Sequence, residues 1–267
     1  MKRIVLVIAI CAPLSAQWLK YPSPGVPKTP SGQPNLSAPA PRTADGKPDF
    51  SGIWLNDTRR APGSPPPGGV LPLAGSVGWV DFGVGLPGGL PYQPWAAEAV
   101  KQRKADNGKD DPPSHCLPLG VPRLLVDPEY RKIVQIPGLL VILNERDAGY
   151  RQIFTDGRPL PEDPQPSWKG YSTGKWEGDT LVVQTNGFRD GMWLDRSGSP
   201  ITDAARLTER FRRPDYGTLE IEVTMNDPKA YTKPWMVTIP LRLMADTEMI
   251  EEVCDNEKDA RHAVTSK

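Results

Sequence analysis

The sequence predicts a mainly β domain, an antiparallel barrel or sandwich with one short helix and long Pro/Gly-rich loops, and three observations predict it. Leu219, Ile221, Val223 and Met225 are interleaved with Glu220, Glu222 and Thr224, and Val237, Ile239, Leu241 and Leu243 repeat that spacing. A period of two sends alternate side chains to opposite faces, one buried and one wet. Short apolar runs are separated by turn signals at Pro137-Gly138, Asp156-Gly157 and Glu177-Gly178-Asp179, as in a succession of hairpins. Of the 32 prolines, 21 lie at or before Pro122, so the first half is mostly extended and irregular while the second can form a continuous sheet.

Taken in order, the expected strands are 50–55, 130–136, 139–145, 150–155, 171–176, 180–185, 205–213, 218–225, 236–244 and 248–254. The helix is expected from Pro94 to about Lys104, because Pro94 suits a first helical position. In the strongest alternating pair, Leu219, Ile221, Val223, Val237, Ile239 and Leu241 should form the core while Glu220 and Glu222 face out.

The ends carry a different message. Lys2 and Arg3, the apolar run from Ile4 to Leu14 and the small pair Ser15 and Ala16 follow the order of a secretory signal peptide, with cleavage expected after Ala16. That places residues 1–16 in the leader and predicts a periplasmic or secreted product. Residues 17–48 form a Pro-rich extended segment, 49–256 a single β domain, and 257–267 a polar C-terminal tail. Residues 57–92, long and rich in Pro and Gly but also apolar, are a candidate lid. No later run approaches the roughly 20 apolar residues of a membrane span. Once Cys11 leaves with the leader, Cys116 and Cys254 remain, and an even pair in an oxidising compartment predicts a disulfide.

Lys plus Arg and Asp plus Glu are balanced at 32 each, so nothing calls for nucleic acid as a partner. The glycines Gly83, Gly85 and Gly88 match G-x-G-x-x-G, but Pro87 and Pro91 break the segment that would have to be a helix, and the dinucleotide reading fails. With His115 and His262 as the only histidines, no Cys/His metal site can be assembled, and neither metal nor cofactor is expected.

Candidate chemistry rests on other residues. His115 is a candidate general base. Between 150 and 195 aromatic and charged residues are dense, and Asp156, Arg158, Trp168, Tyr171 and Trp193 are what a saccharide or aromatic ligand would use, since rings stack and forks hydrogen-bond. Glu209 shares its strand face with Leu207 and Phe211, and by the same alternation Arg151 shares its face with Ile153. Both therefore point inward as natural partners, forming either a structural ion pair or a ligand-facing acid or base.

The stretches DGKPDFSGIW (45–54), CLPLGVPR (116–123), FTDGRPLP (154–161), GKWEGDTLVV (174–183) and TERFRRPDYGTLEIEVTMNDPKAYTKPW (208–235) resemble an uncharacterised family of secreted proteins abundant in soil bacteria. The resemblance covers nearly the whole mature chain and implies no activity. Similar sequences often carry histidines where this one has Ile201 and Thr218, so any chemistry of those histidines is not expected here. Gly52-Ile53-Trp54 is similar to the G-x-W opening of lipocalins, which implies a lipocalin-like barrel with Trp54 plugging one end beneath a ligand cavity. Together these readings lead to a barrel that binds a small organic molecule between its mouth and the 57–92 loop. The alternatives are a cofactor-free isomerase, cyclase or hydrolase on the same scaffold, and an envelope interaction protein whose barrel is filled.

Overall fold

The computed structural model describes residues 21–57 and 81–254. The expected leader, most of the candidate lid and the polar tail lie outside the described residues. In chain order the elements are β1 (Gly52–Asn56), α1 (Pro94–Ala105), β2 (Arg131–Ile136), β3 (Leu139–Asn144), β4 (Tyr150–Phe154), β5 (Tyr171–Glu177), β6 (Thr180–Asn186), β7 (Met192–Trp193), β8 (Pro200–Ile201), β9 (Arg206–Arg212), β10 (Thr218–Asn226) and β11 (Trp235–Leu243), with short 3-10 turns between them. Nine strands close a barrel in the order β1-β11-β10-β9-β6-β5-β4-β3-β2, with β1 pairing both β11 and β2. Of the two architectures expected, the barrel is the one formed. Every ladder is antiparallel except β4 with β5, and β7 with β8 forms a separate two-stranded ribbon.

The alternating pattern sets the register of β10 on β11. Leu219 faces Leu241, Ile221 faces Ile239 and Val223 faces Val237, and all six side chains are fully buried. Each contributes roughly 1.5–3 kcal/mol by leaving water. A slip of one residue would exchange them for Glu220 and Glu222, which face outward here.

Residues 248–254, expected as a strand, have no ladder. The reason is topological: β1 closes the barrel between β11 and β2, and a closed sheet has no edge to which a tenth strand can add. The segment is instead held by single bonds, Ile250 N donating to Glu145 Oε1 at 2.8 Å and Lys132 Nζ to Glu248 Oε1 at 2.9 Å. It ends in the Cys116–Cys254 disulfide, whose Cα atoms are 5.5 Å apart.

β1 starts two residues later than expected. Gly52 has φ +142°, and a Cβ there would sit 2.6 Å from Leu243 Cδ1, so glycine is needed where the chain turns into the strand. Phe50 lies before that turn and is wholly buried, its ring 5.4 Å from that of Trp176 and 6.1 Å from that of Phe211.

The two barrel ends are closed differently. At the Gly52 and Leu243 end, residues 21–51 form a strap: Gly217 N donates to Leu36 O at 2.7 Å and Tyr216 N to Ala38 O at 2.8 Å. Within the strap two turns repeat one geometry, Thr29 N to Gln33 O and Thr43 N to Lys47 O, each with the following glycine bonding back to the threonine carbonyl. The opposite end, where β2 begins and β3 ends, is covered by α1, the irregular segment 107–126 and the β7–β8 ribbon. Pro94 is the first residue of α1, and Arg103 and Lys104 occupy its last turn, where cations suit the helix dipole.

Candidate functional site

β4 and β9 bring Arg151 and Glu209 together inside the barrel. Arg151 Nη1 donates to Glu209 Oε1 at 2.8 Å and Nη2 to Glu209 Oε2, so the fork is bidentate. The same guanidinium donates to Ser172 Oγ from Nε at 3.3 Å, and from Nη2 to Thr185 Oγ1 at 3.0 Å. Their side chains are 2 % and 0 % exposed. A charge this deeply enclosed is tolerable only when paired and hydrogen-bonded, and here β5 and β6 supply the hydroxyls that complete the set.

Nearer the α1 end lies a second enclosed cation, Arg131. Its Nη1 donates to Asn56 Oδ1 at 2.7 Å and its Nη2 to the Asp127 carbonyl at 2.6 Å. Burial pushes its pKa down to about 10. Below these polar layers Trp54, Ile153, Val183, Phe211, Ile221 and Ile239 are all at most 1 % exposed. No space as large as a water molecule abuts side chains so enclosed, and a ligand at this level would have to displace them.

The eight residues expected to hold a ligand fall into separate places. Trp54 is buried near the strap, its Nε1 donating to Phe50 O at 2.9 Å and the Arg213 guanidinium 4.8 Å from its ring. Arg151 and Glu209 are the interior pair. Asp156, Arg158 and Tyr171 meet on the outer surface: Arg158 Nη2 donates to Asp156 Oδ2 at 2.6 Å, Nη1 to the Tyr171 hydroxyl at 3.3 Å, and the guanidinium stacks 3.9 Å from the Phe154 ring. Trp168 lies under Arg189, 4.8 Å away. His115 is exposed on a 3-10 turn, its Nε2 2.9 Å from the Lys109 carbonyl.

Of the expected residues, Trp193 lines a cleft. A cleft of about 250 Å³ lies between β7 and the C-terminal half of α1, walled by Gln102, Arg103, Asp106, Lys109, Asp110 and Trp193. The Arg103 guanidinium stacks 4.6 Å from the Trp193 ring, and its Nη1 donates to Gly198 O at 2.5 Å. Burial lowers the Arg103 pKa, opposed by the nearby carboxylates of Asp110, Asp111 and Asp195. The lining thus offers two cations and two carboxylates, able to donate and accept hydrogen bonds at short range, over the edge of the Trp193 indole, which is 5 % exposed and covered by Arg103.

The turn that carries Gly198 is organised by Asp195. Its carboxylate accepts from Ser199 N at 3.1 Å, from the Ser199 hydroxyl at 2.9 Å and from Phe82 N at 3.4 Å. The Tyr92 hydroxyl lies 2.7 Å from Ser199 Oγ. Because Ser199 donates to Asp195, Tyr92 donates to Ser199, and burial raises the Tyr92 pKa and keeps it protonated. Burial first, and then the neighbouring charge of Asp81, push the Asp195 pKa up to about 6.

No motif in the sequence marks Arg103, Asp106, Lys109 or Asp110. The signal available was the charged run KQRKADNGKDD (101–111), which alone reads as a solvated helix end. Its meeting with Trp193, some 90 residues on, is a product of the barrel's end closure. Among the described residues no group of three or more His, Cys, Asp or Glu is placed to hold a metal ion, and no helix is long and apolar enough to cross a membrane. Compared with known family models, curated proteins and solved structures, the chain matches none.

Proposed function

We propose that this is an exported β-barrel protein that binds a small polar organic molecule, a saccharide unit or a hydroxylated aromatic, in the cleft between α1 and β7. The observation that carries the reading is the cleft itself: about 250 Å³ walled by the Trp193 indole under Arg103, with Asp106, Asp110, Lys109 and Gln102 around it. Its size is below the several hundred Å³ of sites for drug-sized molecules, which points to a ligand of one ring. The mixed-sign lining suits hydroxyl groups, which donate and accept, better than a ligand of single charge. Residues 81–92, the described end of the 57–92 loop, stand beside it through the Lys104–Asp81 pair at 3.6 Å. The disulfide and the leader-like N-terminus support export.

The test is a titration of the mature protein with neutral monosaccharides and with simple phenols, followed by the indole N–H signal of Trp193 in ¹H–¹⁵N spectra. Saturable shifts confined to Trp193 and the 102–110 segment, lost in Trp193→Ala, are expected. Shifts of no residue in the cleft with any of these probes at millimolar concentration would sink the proposal.

A further inference from the structure

The outer surface of the barrel is charged on one side and apolar on the other. On β9 and β10 the outward side chains form ion pairs, Arg210 with Glu177 at 3.0 Å and Arg212 with Glu220 at 2.6 Å. On β2, β3 and β4 the outward side chains are mostly hydrocarbon. Val134 is 38 % exposed, Ile136 51 %, Leu143 37 % and Tyr150 61 %. Cross-strand register makes them one surface: Val134 lies opposite Val141, Ile136 opposite Leu139, Leu139 opposite Phe154 and Leu143 opposite Tyr150. In β3, LLVILN, both faces are apolar, because Leu140 and Ile142 fill the interior while Leu139, Val141 and Leu143 point out. Strands apolar on both faces are ordinarily covered on both.

We propose that the outer face of β2–β4 is the interface of a two-fold dimer of this chain. Scaling the exposures by ordinary residue areas gives roughly 500 Å² of contiguous apolar surface, at the upper end of what a monomer displays. A stable interface buries about 800 Å² per partner, of which about 65 % is apolar in homodimers. The patch matches that apolar core closely, and polar groups of both signs supply the rim. Lys132 pairs with Glu248 at 2.9 Å and Arg158 with Asp156 at 2.6 Å. Each rim pair is internally neutral. Without Lys2 and Arg3 of the expected leader, 30 cations face 32 anions, a formal net charge of −2, so long-range repulsion between copies is weak. Two such faces pack as sheet on sheet, about 10 Å apart, with the same residues contributed by both copies. The cleft lined by Trp193 lies on another part of the molecule, so this inference stands whether or not the ligand reading does.

The test is sedimentation velocity of the mature full-length chain over about 1 to 100 µM, a range in which a mass-action dimer changes its population. The wild type should sediment as a dimer at the upper end. The double variant Val134→Glu with Leu143→Glu should sediment as a monomer throughout, with unchanged near- and far-UV circular dichroism, since both side chains point away from the core. Tyr150→Ser, a milder change at the most exposed position, should weaken the dimer at least tenfold while preserving the spectra. A wild type that is monomeric at every concentration overturns the proposal, whatever else covers the face. A dimer that survives the double variant overturns it equally.

Discussion

Glu209 and Asp195 are both enclosed carboxylates, yet their partners give them opposite characters. Glu209 faces the fork of Arg151 and two hydroxyl-bearing neighbours of that fork, so its charge is matched. Glu209→Gln leaves the guanidinium buried without a counter-charge, and urea unfolding should register a loss of about 3–5 kcal/mol. A loss well under 1 kcal/mol would mean that the pair is not what holds β4 to β9. Asp195 accepts hydrogen bonds and, among the described residues, forms no salt bridge, and burial with Asp81 nearby raises its pKa to about 6 from 3.8. A carboxyl whose folded pKa is raised contributes stability in its protonated form. That contribution is fully present below about pH 4 and is lost as pH rises through about 6, an effect of about 3 kcal/mol. Melting curves of the wild type and Asp195→Asn, compared from pH 8 down to 4, should therefore show the wild type gaining on the variant as pH falls. A constant difference between the two would show that Asp195 does not titrate in that window.

At the scale of elements, the decisive feature is how segments without regular structure are fixed to a sheet that has no free edge. The strap 21–51 is tied by backbone bonds to the β9–β10 turn, and its last anchor, Phe50, is sealed between Trp176 and Phe211. The C-terminal segment depends on a covalent link instead. Cys116 and Cys254 are separated by 138 residues, and on the chain-entropy model closing a loop of that length stabilises the fold by about 5 kcal/mol. Cys116→Ala with Cys254→Ala should lower the unfolding free energy by several kcal/mol while leaving the far-UV spectrum of the barrel intact, because both cysteines lie outside the strands. A spectrum that collapses would show that the link is needed to form the barrel and not only to hold segments against it. Only the tight turns were visible to local reasoning here. The 248–254 run has the apolar content of a strand, but pairing is a property of the neighbour, and β1 had already filled both positions.

For the molecule as a whole, the sequence by itself determined the class of fold, the inward set of β10 and β11, the helix at Pro94, the disulfide and the meeting of Arg151 with Glu209. The helix start follows from Pro94 and the disulfide from an even pair of cysteines; the rest follows from local periodicity, which assigns each side chain to a face without knowledge of the partner. It could not say which strands neighbour one another, and so it left barrel and sandwich open. Tertiary structure decided that the sheet closes on itself, that Trp54 and Ile153 are enclosed in its interior, and that a cleft opens outside, where α1 meets Trp193. It also scattered Asp156, Trp168 and Trp193 to different surfaces, although they are close in the chain, while joining Arg103 to Trp193 across 90 residues. Which face of a strand a side chain takes is set by the nearest few residues, whereas a cleft or an interface is made by segments whose separation in sequence carries no record of their distance in space.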